Sequence, residues 1–278
     1  MIHWRIWVIG AGVASAGLAA SAKVRGAVAP HLPAALTHTA SPASAPGIDQ
    51  DAMQALDDMG KYLRTLNVIQ VHADVTTEDV MEDGQKVTTM KSINLVAQRP
   101  NKLWAEVADE RAPRFFFYDG KTFTLWAPRT RYYAKAGAPP TINQLADTLD
   151  EKFNIDLPLV DLFRWGTPDS DLKGITAAED LGSADVDGTT CEHYAYRQEG
   201  LDWQVWIQQG DFALPRKLVL TTTTDEARPQ HSSTWTWNLA PSYDDSTFVF
   251  TPPKDAHQIQ FRQVAAMRDS VKKAGGGK

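Results

Sequence analysis

Apolar positions along the chain keep two alternating rhythms, and each change of rhythm predicts a change of element. Met53, Leu56, Met59, Tyr62, Leu63 and Leu66 recur at intervals of three and one, which sets them on one face of a helix. Asp49 stands where an N-cap belongs, so the spacing predicts a helix over residues 49–66. After Asn67 the period falls to two. Residues 68–80 and 86–98 read as long strands joined through Glu82-Asp83-Gly84, an Asp-Gly turn of the kind that closes hairpins. Shorter strands are predicted over 102–108, 114–118, 122–127 and 131–134, punctuated by Asp119-Gly120 and Pro128-Arg129. Helical spacing returns over 141–153, with Ile142, Leu145, Leu149 and Phe153 on one stripe, and over 156–165, with Leu159, Leu162 and Phe163 on another. A second run of strands covers 177–186, 190–198, 201–208, 216–224, 232–239 and 247–250, with hairpin turns at Asp187-Gly188 and Glu199-Gly200.

Strands on both sides of one helical insertion point to a single sheet that curls. The predicted fold is mainly β: an open antiparallel β-barrel of about eleven to twelve strands, with an N-terminal helix and a mid-chain helical lid. Its faces differ. Leu103, Ala105 and Val107 alternate with Lys102, Trp104 and Glu106; Phe123 and Leu125 alternate with Thr122 and Thr124. Trp203, Val205 and Ile207 alternate with Gln204 and Gln208, and Trp235 and Trp237 with Thr234 and Thr236. Any one such face packs as ordinary core. A curled sheet of this width is too broad for its own side chains to fill, so the set as a whole predicts an apolar cavity. The candidate lining is Leu103, Val107, Phe123, Leu125, Trp203, Val205, Trp235 and Trp237, with Leu159, Leu162 and Phe163 closing over it from the lid.

The ends of the chain have another character. Residues 1–5 are short and basic, 6–20 are apolar and small, and Ala20-Ser21-Ala22 offers an A-x-A cleavage site, which together predict a secretory signal peptide over 1–22. Its apolar run falls short of the roughly 20 residues a bilayer span needs. Residues 23–48 are rich in Ala, Pro and Ser without a hydrophobic period and read as a flexible spacer, leaving 49–257 as the folded domain. Residues 258–278, with Arg268, Lys272 and Lys273 near the end, read as a disordered tail. The single cysteine, Cys191, rules out an intramolecular disulfide and, lying far from the signal peptide, is not a lipoprotein's acylated cysteine. The expectation is export to the periplasm as a soluble protein with no transmembrane segment in the mature chain. Net charge is −6, and loss of Arg5 with the leader takes it to −7, so nothing favours nucleic acid as a partner.

Three strings taken in order carry a resemblance: Arg99-Pro100-Asn101 entering a strand, Asp119-Gly120-Lys121-Thr122 about twenty residues on, and Phe248-Val249-Phe250-Thr251-Pro252-Pro253 at the end. Their order and spacing resemble the LolA/LolB-like superfamily of periplasmic lipoprotein carriers. Asp202-Trp203-Gln204-Val205-Trp206-Ile207 and Leu214-Pro215-Arg216-Lys217-Leu218-Val219 are similar to a family of predicted periplasmic proteins of unknown function within it. The resemblance spans roughly residues 51–256. It implies an open barrel whose helical lid covers a cavity for acyl chains, and it implies a lid-gating role for Arg99, since the carrier's corresponding arginine bonds to the lid when empty. The second half here is longer than in the carrier, and the lid sequence does not match it residue by residue.

The sequence holds none of the catalytic signatures: no Gly-x-Ser-x-Gly, His-Glu-x-x-His, phosphate loop or Cys-x-x-Cys. His72, His193 and His231 fall on separate predicted strands, and Asp185-Val186-Asp187-Gly188 fits a hairpin turn better than a calcium loop. The expectation is a non-enzymatic protein with no catalytic residues, no metal and no cofactor. It would hold a lipid or the acyl chain of an acylated protein; the alternative is an envelope sensor that binds a protein partner through the same fold.

Overall fold

Asp49 opens the first helix, α1 (Gln50–Thr65), by accepting hydrogen bonds from the backbone N–H groups of Asp51 at 2.8 Å and Ala52 at 3.4 Å, which satisfies two of the donors that a helix start leaves free. The computed structural model describes residues 47–170, 172 and 174–262. The predicted signal peptide, most of the predicted spacer and most of the predicted tail lie outside the described residues. Ile48, at the spacer's end, bridges to Ala178, and Asp49 N–H donates to the Ala178 carbonyl at 3.0 Å.

The strands are β1 (Val68–Val80), β2 (Lys86–Gln98), β3 (Lys102–Asp109), β4 (Pro113–Tyr118), β5 (Thr122–Ala127), β6 (Tyr132–Gly137), β7 (Ala177–Val186), β8 (Thr189–Gln198), β9 (Leu201–Gln208), β10 (Pro215–Thr222), β11 (Gln230–Trp237) and β12 (His257–Ile259). They form one twelve-stranded sheet in the order β12-β6-β5-β4-β3-β2-β1-β11-β10-β9-β8-β7. Every pairing is antiparallel except that of β12 with β6. The sheet is open, with β12 and β7 at its two edges. Its two runs of hairpins meet where β1 pairs with β11, a contact between residues more than 150 positions apart, such as Ala73 with Trp235. The turn at Asp187-Gly188 has positive φ at both residues, 50° and 77°, the pattern of a two-residue turn whose twist suits a hairpin.

Two helices and one helical turn lie on the concave face. α2 (Ile142–Phe153) is capped by Thr141 and ends at Asn154, whose φ of 54° is left-handed; it buries Ile142, Leu145, Ala146 and Leu149. α3 is only Asp161–Arg164, shorter than the helical pattern over 156–165. Pro158 has no N–H to donate and Leu159 sits at φ 53°, so right-handed helix cannot begin before Val160. The expected strand over 247–250 is likewise replaced, by a 3-10 turn over Asp245–Phe248 that Asp244 caps. Phe250 beyond it rests on Phe117, Trp126 and Tyr133, at 5.1–5.6 Å between ring centroids, on the convex face. The fold also runs past residue 257: Gln258 and Ile259 belong to β12, and Phe261 packs on Phe123 and Phe153.

Candidate functional site

Strand register carries residues far apart in sequence onto one concave face. A single rung runs Trp237, Val71, Leu95, Ala105, Phe116, Leu125 across six strands. The next in one direction runs Trp235, Ala73, Ile93, Val107, and Leu103 stands beside Tyr118 and Phe123 in the other. Val205 and Trp203 reach the same face through Leu218 and Leu220 of β10. Leu103, Val107, Phe123, Trp203, Val205, Trp235, Leu162 and Phe163 are members of one buried cluster, and Leu125, Trp237 and Leu159 are half-buried against it.

The trough is occupied by helices. Ala52, Leu56, Met59 and Leu63 of α1 and Leu162 and Phe163 of α3 are at most 1% exposed, so they supply the volume that the strand side chains lack. The space left between Trp165, Trp203, Leu218 and Leu220 is about 30 Å³, room for on the order of two waters and none for a hydrocarbon chain. Tyr196 pins α1 from β8 by donating its hydroxyl to the Ala52 carbonyl at 2.8 Å, and burial raises the pKa of that phenol.

Polar contacts hold the α3 segment down. Arg99 donates from Nη2 to the Leu162 carbonyl at 3.2 Å and the Leu63 carbonyl at 3.5 Å, and from Nε to the Leu66 carbonyl at 3.1 Å; its guanidinium also lies 5.3 Å from the Phe163 ring centroid. Arg64 donates from Nη2 to the Leu162 carbonyl at 2.8 Å and from Nη1 to the Phe163 carbonyl at 2.9 Å. Burial and the neighbouring Arg64 charge lower Arg99 to about 10, which leaves it a cation at neutral pH. Arg164 ties the same turn to α2 through Asp147 at 2.7 Å. Asp161 opens the turn, and burial pushes its carboxyl up to about 6 against the pull of Arg164.

Arg99, expected to bond to a lid, thus bonds the α3 turn and the end of α1. Arg64 was not anticipated from the sequence, and neither was the contact that lets it reach. Gly60 of α1 and Gly166 after α3 approach so closely that a Cβ on Gly60 would lie 2.8 Å from Gly166 Cα, and one on Gly166 would lie 2.3 Å from the Gly60 carbonyl oxygen. The signal was present: an isolated glycine inside a helical stripe marks either a break or a close approach.

The three histidines do not come together. His72, beside Asn94 at 2.7 Å, and His193, stacked on Trp206 at 3.9 Å, are on the convex face, whereas His231 faces inward between Thr77 and Ser233. Cys191 has no exposed surface, and burial pushes its thiol up to about 11. Among the described residues no group of three His, Cys, Asp or Glu side chains is placed to hold a metal ion, and no helix is long and apolar enough to cross a membrane.

The family model described as "Predicted periplasmic protein (DUF2092)" matches residues 52–262. No curated protein matches the chain. Among solved structures, the lipoprotein LppX of Mycobacterium tuberculosis is 12% identical with a TM-score of 0.45, covering 70% of this chain and 100% of its own. LprF from Mycobacterium bovis is 15% identical with a TM-score of 0.44, over 77% and 100%. A LolA superfamily protein from Nitrosomonas europaea is 8% identical with a TM-score of 0.34, over 72% and 97%.

Proposed function

The chain belongs to the family described as predicted periplasmic proteins (DUF2092), and from that premise we propose that it is a periplasmic carrier, not an enzyme, which takes an acyl chain into the trough between its sheet and its helices. The observation that supports this most directly is the combination of a continuous apolar concave face with a short covering turn held by arginine bonds to main-chain carbonyls. Lifting the cover exchanges these bonds for water at about 1.5–3 kcal/mol for each bond to a charged group and bares Leu162 and Phe163, which are buried in the core cluster, at about 1.5–3 kcal/mol for each side chain. The ligand offsets that cost. Each buried CH₂ contributes roughly 0.8 kcal/mol, so a chain of ordinary lipid length outweighs two or three such bonds. Leu162 and Phe163 then act as a plug that an acyl chain displaces, and Leu103, Val107, Phe123, Leu125, Trp203, Val205, Trp235 and Trp237 form the lining it meets.

The test is lipid extraction and mass spectrometry of the protein purified from its own envelope without detergent, joined to titration of the lipid-free protein with cis-parinaric acid. Acyl species near one per chain, or saturable probe binding that Trp235→Glu abolishes, support the carrier. A protein that yields no acyl species and binds no probe is a filled β domain, and the proposal fails.

A further inference from the structure

Two cations converge beneath the α3 turn on oxygens that carry no charge. Arg64 holds one oxygen on each arm of its fork, the Leu162 carbonyl on Nη2 at 2.8 Å and the Phe163 carbonyl on Nη1 at 2.9 Å. Arg99 brings its own Nη2 to the same Leu162 oxygen at 3.2 Å. Among the described residues, every hydrogen bond from the two guanidinium groups ends on a main-chain carbonyl, and Arg64 Nε is buried with no partner at all. Burial lowers the pKa of both groups, and among the described residues the one charge that bears on Arg99 is the like charge of Arg64. Neutral carbonyls do nothing to relieve that repulsion.

Two oxygens on the two terminal nitrogens of one guanidinium is the arrangement in which arginine holds a carboxylate or a phosphate, and such charge-assisted bonds are roughly twice as strong as bonds between neutral groups. Lifting the turn leaves the arrangement in place. Arg99 keeps its bonds to the Leu66 and Leu63 carbonyls at 3.1 and 3.5 Å, and Arg64 stands on the last turn of α1, so neither cation departs with α3. The side chains behind the two departing carbonyls, Leu162 and Phe163, have no exposed surface, and the Phe163 ring centroid lies 5.3 Å from the Arg99 guanidinium. The oxygens and the buried apolar groups of the turn therefore leave together, from adjoining places.

We infer that the α3 turn occupies the site of an amphiphile with an anionic oxygen head, a carboxylate or a phosphate, which Arg64 and Arg99 grip in place of the Leu162 and Phe163 carbonyls while its chain fills the volume those two side chains vacate. The inference rests on the carrier reading and sharpens it from acyl chains in general to chains with an anionic head at the mouth of the trough. Head and cover compete for the same donors, so binding and opening are one exchange.

The experiment titrates cis-parinaric acid and its methyl ester, equal in chain and unlike in charge, into wild type, Arg64→Met, Arg64→Lys, Gly60→Ala and the double variant Arg64→Met with Arg99→Leu. Circular dichroism checks each fold. The quantity read is the ratio of the two affinities in one protein. Both probes lift the same turn, so a change in how firmly the turn is held cancels from the ratio. Wild type is expected to bind the acid about tenfold more tightly, the scale of one charge-assisted bond over a neutral one. Arg64→Met should remove most of that preference although the ester binds more tightly than to wild type, and the double variant should abolish it. Arg64→Lys should keep part of it, having the charge without the fork, and Gly60→Ala should tighten both probes by the same factor. Equal affinities for acid and ester in wild type overturn the inference and leave the carrier intact, and that outcome needs no variant to fold. So does a preference that survives the double variant, or one that Gly60→Ala removes as fully as Arg64→Met. Binding of neither probe overturns the carrier reading itself. Displacement of the acid by dodecyl phosphate more strongly than by dodecanoate assigns a phosphate head, and the reverse a carboxylate head. Displacement by inorganic phosphate alone at the same concentration would mean an anion site without a chain and would sink the amphiphile.

Discussion

Removing the arginines that hold the cover should move stability and affinity in opposite directions. Arg64 makes two bonds across to α3, at 2.8 and 2.9 Å to the Leu162 and Phe163 carbonyls. Arg99 makes one such bond, at 3.2 Å to Leu162, and its others return to the end of α1, where they do not resist opening. Taking the low end of about 1.5–3 kcal/mol per bond to a charged group, because Arg64 is half-buried and water competes, Arg64→Met should weaken the closed state by about 2–3 kcal/mol and Arg99→Leu by about 1.5–2. Met and Leu retain much of the apolar stem, so the loss falls on the bonds. If the closed state dominates without ligand, the whole of that change appears as tighter binding: about 2 kcal/mol is roughly 30-fold in dissociation constant. The same change should lower the melting temperature of the empty protein by roughly 4–8 °C for a domain of this size. Calorimetry and titration with the methyl ester of cis-parinaric acid, which has no anionic head to lose, read the two quantities on one preparation. The double variant should fall short of additivity, because both guanidinium groups bond the Leu162 carbonyl. A drop in melting temperature with affinity falling in parallel, or staying put while circular dichroism reports an intact fold, refutes the clamp and leaves the arginines as packing.

Two further outcomes follow from contacts around the same cover. Gly60→Ala should raise probe affinity, since the added methyl meets Gly166 backbone atoms at 2.8 Å; overpacking of about 1–3 kcal/mol opposes a helix-propensity gain of about 1, so a melting temperature that rises with binding unchanged would contradict the close approach. The pH profile should show His231, which burial and Lys91 lower from 6.5 to about 4: the unfolded chain takes up the proton first, so stability is full above about pH 6.5 and declines by at most about 3 kcal/mol as pH falls to 4. Asp161, raised to about 6, works with the opposite sign over that window, its cost fading as pH drops through 6. Melting curves of Asp161→Asn between pH 7.5 and 4 should therefore fall more steeply than wild type, and adding His231→Gln should make that fall shallower; equal slopes in all three would remove both groups from the account.

What the amino-acid order settled by itself was local. The bounds of β1, β2, β5, β7 and β9 follow from period-two alternation between turn residues, and those of α1 and α2 from apolar stripes behind Asp49 and Thr141, because backbone geometry forces side chains to alternate on a strand and recur every third or fourth residue on a helix. The faces were legible for the same reason, so all eleven candidate lining residues lie in or against one cluster. Alternation says nothing about which strands become neighbours. The pairing of β1 with β11, the parallel addition of β12 to β6 and the 3-10 turn in place of a strand at 245–248 depend on contacts between distant segments. The site divides along the same line. Arg99 could be singled out within a string of neighbours, but Arg64 reaches α3 only because Gly60 and Gly166 bring two backbones into contact. Whether the trough is empty or filled was decided by tertiary packing alone, since α1 and α3 occupy volume that no property of the strands reveals, and Lys91 and His231 come to one end of the concave face through strand register rather than through any spacing along the chain.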